Sequence, residues 1–248
     1  MKIAVCVSLV PDTTTKIKIG SSNKSIDDTG VSFVLNPYDE FAVEEAIRTK
    51  EKFGGDVTVV TFGTDAYKEA LRKAFQMTAD QGILIKATSK DFDSFTVAKN
   101  LAEVLKTENY DIIFFGKQSI DYDGHILPSM VGELLGLPAI NDVVKLEIEE
   151  TKVTVEREIE GGKEVIITNL PIIIGTQKGL NEPRYPSLKN IMAAKSKPIK
   201  EVPLIEVEPL VSIREMRLPP VKGKGKIFEG VESVPELVRL LKEEAKVI

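Results

Sequence analysis

Four consecutive apolar residues, Ile112, Ile113, Phe114 and Phe115, closed by Gly116, constrain this chain more than any other feature. The run is too short for a helix and has no polar alternation, so it reads as a strand buried on both faces, as in a parallel sheet covered by helices. After Gly116 comes a polar loop carrying Asp121, Asp123 and Gly124, and then Pro128, which suits the first turn of a helix over residues 129–135. A loop that leaves the carboxyl end of a strand and delivers a helix N-terminus brings unpaired backbone N–H groups and the positive end of the helix dipole to one place. The first expectation is therefore a nucleotide site.

The rest of the chain supplies the crossovers that a parallel strand demands. Residues 5–7 open the sheet, and residues 16–19 are expected to pair with 31–34 as a small hairpin. A helix over 38–53 buries Phe41, Ala42, Ala46 and Ile47 and stops at Gly54-Gly55. A strand over 57–62 follows. Asp65 then caps a helix whose Ala70, Leu71, Ala74 and Phe75 share a face, a third strand covers 83–85, and Ser94 caps a helix bearing Val97, Ala98, Leu101 and Leu105. This alternation predicts an α/β fold: a doubly wound, mostly parallel, Rossmann-like sheet of the adenine-nucleotide-binding type. Beyond Pro138 the pattern changes. Segments 143–148, 152–159 and 163–168 read as antiparallel strands, the last two turning at Gly161-Gly162, and 170–176 as a further strand. A short helix from Ser187 sets Leu188, Ile191 and Met192 on one stripe, either packed on its own core or exposed for docking. The expected division is 1–195 for the nucleotide-binding domain, including the 143–176 extension and a 181–195 docking segment, and 196–248 for a proline-punctuated arm with a closing helix over 234–244.

Composition excludes more than it affirms. The chain has 248 residues, 42% of them hydrophobic and 29% charged, and no stretch matches the roughly 18 apolar residues of a membrane span. A net charge of −5 and a pI near 5.3 leave no electrostatic footprint for nucleic acid. Cys6 is the one cysteine, which rules out an internal disulfide or a multi-cysteine cage, and mid-strand it reads as a small buried hydrophobe. The start reads as a strand with no targeting segment before it, so a cytoplasmic protein is expected, or a mitochondrial-matrix one if the source is eukaryotic. There is no P-loop, no HExxH and no complete dinucleotide fingerprint, and the single histidine, His125, has no GxSxG serine to serve. Asp121 and Asp123 are read either as Mg²⁺ ligands or as acceptors for loop N–H groups. No metal site is expected. A second strand-to-helix junction, Asn36-Pro37-Tyr38-Asp39, would open on the same sheet edge as residues 116–127, and two such tips facing one crevice strengthen the nucleotide reading.

Five segments carry a family resemblance: VCVSLVPD, NPYDEFAVEEAIRTKE, GKQSIDYDG, VEREIEGG and, above all, LNEPRYPSLKNIMAAKSKPI. Along essentially its full length the chain resembles the β subunit of electron transfer flavoproteins. The resemblance implies a non-catalytic electron carrier. Its β subunit buries a structural AMP, pairs with an α subunit that holds most of an FAD, and passes electrons from flavin dehydrogenases, such as acyl-CoA dehydrogenases, to a quinone reductase or another acceptor. Carried over by position, the AMP pocket comprises Cys6, Asn36, Pro37, Tyr38, Asp39, Phe62 and the run Gly116, Lys117, Gln118, Ser119, Ile120, Asp121, Tyr122, Asp123, Gly124, His125, Ile126 and Leu127, with Tyr38 also near the flavin. Many members have Asn-Gln-Thr-Gly where this chain has His125-Ile126-Leu127-Pro128, so phosphate is expected on backbone N–H groups near 124–127. The docking segment is implied to use Leu188 as anchor beside Ile191 and Met192, and the hairpin with Arg157 and Glu158 to face the FAD-bearing subunit, which the arm wraps. Two alternatives differ in chemistry. One is an electron-bifurcating relative with a second FAD in the crevice and NADH as donor. The other is an adenylating enzyme, which would need a phosphate-gripping motif that Val7-Ser8-Leu9-Val10-Pro11 does not provide.

Overall fold

β1 (Lys2–Cys6) shows how the sequence builds the sheet: its alternate residues serve two separate apolar layers. Ile3 and Val5 pack into one, Ala4 and Cys6 into the other. A strand buried on both faces has to be covered twice, and the helices that follow do this. In the computed structural model, which describes residues 1–89, 92–221 and 223–248, the chain continues through β2 (Leu9–Pro11), β3 (Phe33–Leu35), α1 (Pro37–Phe53), β4 (Asp56–Gly63) and α2 (Lys68–Gln76). Next come β5 (Gln81–Lys86), α3 (Ser94–Leu105), β6 (Ile112–Gly116) and α4 (Leu127–Leu135). Helices α1 and α2 cover the Ile3/Val5 face with Ala42, Val43, Ala46, Ile47, Leu71 and Phe75, and α3 and α4 cover the other with Ala98, Leu101, Leu105 and Val131. The sheet is therefore doubly wound.

The remaining strands are β7 (Ala139–Glu149), β8 (Lys152–Ile159), β9 (Gly162–Asn169), β10 (Ile172–Thr176) and, after α5 (Leu188–Ala194), β11 (Ile199–Pro203). The nine-stranded sheet has the order β11-β5-β4-β1-β6-β10-β7-β8-β9. Every pairing from β11 across to β7 is parallel, and β7-β8 and β8-β9 are antiparallel. The β8-β9 hairpin turns through Gly161 at φ 83°, a left-handed conformation that glycine takes at little cost. From β1 the chain first builds outward through β4 and β5, then returns to β6 on the other side of β1. The carboxyl ends of β1 and β6 are thus a topological switch point, where open α/β sheets leave a crevice.

Several sequence expectations change in detail. The hairpin pairs β2 with β3, Leu9 to Leu35 and Pro11 to Phe33, while of segment 16–19 Ile19 makes an isolated bridge with Ile26. Leu9 and Leu35 are buried, and that burial selects the register. Asp65 opens a short 3₁₀ turn before α2 and pairs with Lys68 and Lys86 instead of capping. The N-cap of α3 is Asp93, which accepts from the Thr96 N–H at 2.9 Å, in place of Ser94. A β-region residue with a short carboxylate meets the capping geometry one position earlier.

By contacts the chain divides into Met1–Glu215 and Met216–Ile248, so the first unit extends past residue 195. The physical reason is β11: Ile199 to Pro203 pair in parallel with Gly82 to Lys86 and complete the sheet edge, making this part of the expected arm a strand. The second unit carries α6 (Val234–Glu243), in which Arg239 pairs with Glu236 and Glu243 while Val234, Leu237 and Val238 stay exposed. Among the described residues no helix is long and apolar enough to cross a membrane.

Candidate nucleotide crevice and docking segment

The crevice forms where the ends of β1 and β6 meet the start of α1. Its walls are Cys6, Val7, Ser8, Asn36, Asp39, Phe62, Val97, Leu101, Phe115, Gly116, Ser119, Gly124, Leu127 and Pro128, around a free volume of about 70 Å³. Each element delivers its residue for a local reason. Pro37 begins α1 at a position whose N–H would have no partner in any case, so the helix starts directly after Asn36 and its first turn abuts β6. Gly116 allows that approach, since a Cβ there would lie 2.4 Å from Asp39 Oδ1 and 2.7 Å from the Tyr38 carbonyl carbon. Pro128 occupies the same kind of position at the start of α4, whose first turn presents N–H groups with no intrahelical acceptor.

Asp39 is the electrostatic centre of the crevice. It is buried, and it accepts from the Ser8 N–H at 2.7 Å, the Ser8 hydroxyl at 3.0 Å, Asn36 Nδ2 at 2.9 Å and the Gly116 N–H at 3.2 Å. Burial pushes its carboxyl up to about 7 against the opposing pull of these donors. Burial, and then the nearby Asp39 charge, hold the Cys6 thiol well above its ordinary range, so it is an inert apolar wall.

Asn36 ties the two loop tips together. Its Nδ2 also donates to the Gln118 carbonyl at 2.9 Å, and its Oδ1 accepts from the Ile120 N–H at 3.4 Å. Both tips lie on one edge of the sheet. Within the second tip, Ser119 bridges to Gly124, Asp121 accepts from the Ser119 hydroxyl and from the Tyr122 N–H at 2.8 Å, and Asp123, at φ 51°, accepts from Gln118 Nε2 at 3.2 Å. Both carboxylates are thus engaged with loop donors, and among the described residues no group of three or more His, Cys, Asp or Glu is placed to hold a metal ion.

Of the residues expected at the pocket, Cys6, Asn36, Asp39, Phe62, Gly116, Ser119, Gly124 and Leu127 line it. Pro37 and Tyr38 are not among the crevice walls, and neither are Lys117, Gln118, Ile120, Asp121, Tyr122, Asp123, His125 and Ile126. Lys117 Nζ sits 5.2 Å from the Tyr38 ring centre and 3.6 Å from Asp142. His125 Nε2 is 3.3 Å from the same Asp142. Tyr122 and Ile126 are exposed. Val7, Ser8, Val97, Leu101, Phe115 and Pro128 also line the crevice and were not expected as its walls; Ser8 had a usable signal, a polar residue directly beyond an apolar strand. Tyr67 is not among these walls. Its ring lies over Gly63 at the end of β4, and burial followed by the Asp121 charge pushes its phenol up to about 12, so it stays neutral.

A second region is built on the flank of α1. Arg184 grips Glu44 through Nε at 2.8 Å and Nη2 at 3.0 Å, and Glu51 through Nη1 at 2.6 Å and Nη2 at 3.0 Å. Asn181 Nδ2 donates to the Phe41 carbonyl and to Glu45 Oε2. At the far end Arg72 donates to the carbonyls of Ala194 and Lys197, and Lys197 Nζ to that of Ala79. Between these clamps Ser187 caps α5, accepting from the Asn190 N–H at 3.2 Å. Leu188 and Met192 are left 74% and 66% exposed, Tyr185 is 99% exposed and Ile191 is half-buried. A segment this firmly tied has its apolar tip outside the core by construction. On the β8-β9 hairpin, Arg157 pairs with Glu164 at 2.6 Å, and Glu158 accepts from Gln177 Nε2 at 3.1 Å.

Comparison with known proteins adds a family to this geometry. The model of the electron transfer flavoprotein domain matches residues 24–207. The chain is 40% identical over 259 aligned positions to the electron transfer flavoprotein subunit beta of Bacillus subtilis, covering all of both chains. It is 41% identical to the protein of that name in Syntrophomonas wolfei, covering 96% of this chain and 92% of the other. To the mitochondrial electron transfer flavoprotein subunit beta of Arabidopsis thaliana it is 38% identical over the full length of both.

Proposed function

This chain belongs to the electron transfer flavoprotein family, in its β-subunit branch, and from that premise we propose that it is one half of a heterodimeric electron carrier, with AMP held structurally in its crevice and FAD held mainly by an α subunit. Electrons arrive from flavin dehydrogenases and leave to a quinone reductase or another acceptor; the chain itself transforms no substrate. The observation that carries the reading is the joining of the two tips by Asn36 over an apolar-walled crevice at the switch point of the sheet.

The crevice suits an adenine nucleotide. Phe62, Val97, Leu101 and Phe115 offer apolar walls to a flat ring, and the first turn of α4 offers backbone donors to a phosphate without any basic cradle. A free volume of about 70 Å³ admits only part of such a ligand; of the loop over 117–126, Ser119 and Gly124 line the crevice while Tyr122 and Ile126 are exposed. The flavin, when bound, supplies the redox chemistry. This chain's share is to hold the nucleotide, to complete the flavin environment with Tyr38 and the Arg157/Glu158 hairpin, and to present Leu188, Ile191 and Met192 to the dehydrogenase. An exposed apolar anchor on a clamped segment suits a specific contact of small area, which a shuttle needs to form and break quickly.

Purification with the α subunit, followed by release and counting of nucleotides, tests the proposal. One FAD and one AMP per heterodimer supports it. Two FAD would overturn the AMP assignment in favour of the electron-bifurcating reading.

A further inference from the structure

A carboxylate offers about four lone-pair positions, and Asp39 uses four: Ser8 N–H and hydroxyl on one oxygen, Asn36 Nδ2 and Gly116 N–H on the other. These donors belong to the corner after β1, the residue that starts α1 and the last residue of β6, three segments far apart in the chain. Asn36, held by Asp39, uses its remaining capacity on Gln118 and Ile120. We propose that Asp39 is a positioning residue: saturated by protein donors, it fixes the three crevice-forming segments and, through Asn36, the 118–120 tip, without meeting the ligand. Its role presupposes that the crevice holds a nucleotide.

The surroundings leave this role little competition. Among the described residues no lysine or arginine pairs with Asp39. The titratable group facing it is the Cys6 thiol on β1, which burial keeps neutral; Asn36, directly before α1, and the Gly116 amide of β6 add uncharged donors. With the carboxylate ionised all four bonds are charge-assisted, and such bonds are about twice as strong as neutral ones. With it protonated, the Ser8 hydroxyl has to turn and accept, and the other three weaken. Burial outweighs these donors and lifts the group to about 7, so an opening that hydrates the carboxyl is favoured as the pH rises through that value: the tip is held below it and loosens above it.

The test measures release of labelled AMP from the intact heterodimer into excess unlabelled AMP. From about pH 6 to about pH 8 the wild-type release rate is expected to rise severalfold, and the Asp39→Asn profile to be flat. At pH 8, Ser8→Ala, which removes one donor, should speed release about fivefold, and Asp39→Asn, which opposes an amide to two donors, more than about tenfold, each with unchanged FAD content. Unaltered release in Ser8→Ala beside a large effect in Asp39→Asn would mean that Asp39 meets the ligand directly and would overturn the inference, as would pH-independent wild-type release. Should Asp39→Asn fail to assemble, Ser8→Ala and the wild-type profile decide. A wild-type heterodimer without AMP would instead overturn the nucleotide reading itself.

Discussion

The crevice and the docking segment are fastened to the same helix, α1, by opposite chemistries. At its N-terminus a buried carboxylate, Asp39, is held by neutral donors and, among the described residues, pairs with no lysine or arginine. Along its flank the carboxylates of Glu44 and Glu51 are gripped by Arg184 in a two-sided, bidentate clamp. The first arrangement answers to protons near neutrality and hardly to salt, because screening does not reach a buried group. The second is insensitive to neutral pH: its arginine pairing holds the mostly exposed Glu51 carboxyl below the usual range, so that contribution is present above ordinary carboxylate pH and is lost only as pH falls through the lowered value. One helix therefore anchors both the crevice proposed to hold a nucleotide and the segment proposed to meet partners, and the two can be disturbed separately.

The largest break in this comparison is expected from Arg184→Ala. It leaves Glu44, whose side chain is 3% exposed, with Arg48 as its one charged partner beside the residue-184 N–H, and should cost about 3 kcal/mol in denaturant unfolding while slowing electron arrival from the dehydrogenase. Retention of wild-type stability would show the clamp to be ornamental. Next, Gly116→Ala forces a methyl group against Asp39 and Tyr38, an overpacking worth about 2 kcal/mol that should also lower AMP occupancy and spare docking. Leu188→Ala should slow transfer from the dehydrogenase about tenfold, with FAD and AMP contents and melting temperature unchanged, because a 74% exposed side chain contributes to encounter and little to the fold. Unaltered stopped-flow rates would remove Leu188 from the docking surface. The smallest effect belongs to Glu51→Gln: about 0.5 kcal/mol of stability at low salt, fading at high salt, since Glu51 is 55% exposed. A difference that persists at high salt would place this half of the clamp with the buried groups.

Much of this architecture was legible in the residues. The apolar runs at Ile112–Gly116 and Asp56–Gly63 could be covered only by helices, and the segments between them had helical spacing, so the doubly wound sheet followed. The two strand-to-helix junctions were legible too, because Pro37 and Pro128 mark helix starts and Gly116 a strand end. The misses share a cause. Segment 16–19 alternates as a strand should, yet the pairing went to Leu9 and Val10, which could be buried. Residues 196–215 look like an arm in composition, but five of them found an unpaired sheet edge at β5. Local pattern states what a segment can do, and the partner available decides what it does.

By itself the sequence determined the parallel sheet, the edge on which its loops open and, through the LNEPRYPSLKNIM segment, the family, because each of these depends on residues close together in the chain. Only the tertiary structure decided that Asp39 is saturated by Ser8, Asn36 and Gly116, and that Arg184 lies across Glu44 and Glu51. Ser8 is 31 residues from Asp39, Gly116 is 77 from it, and Arg184 is 140 from Glu44. Hydrogen-bond capacity is a property of each residue, but which donors fill it depends on the segments that folding brings together.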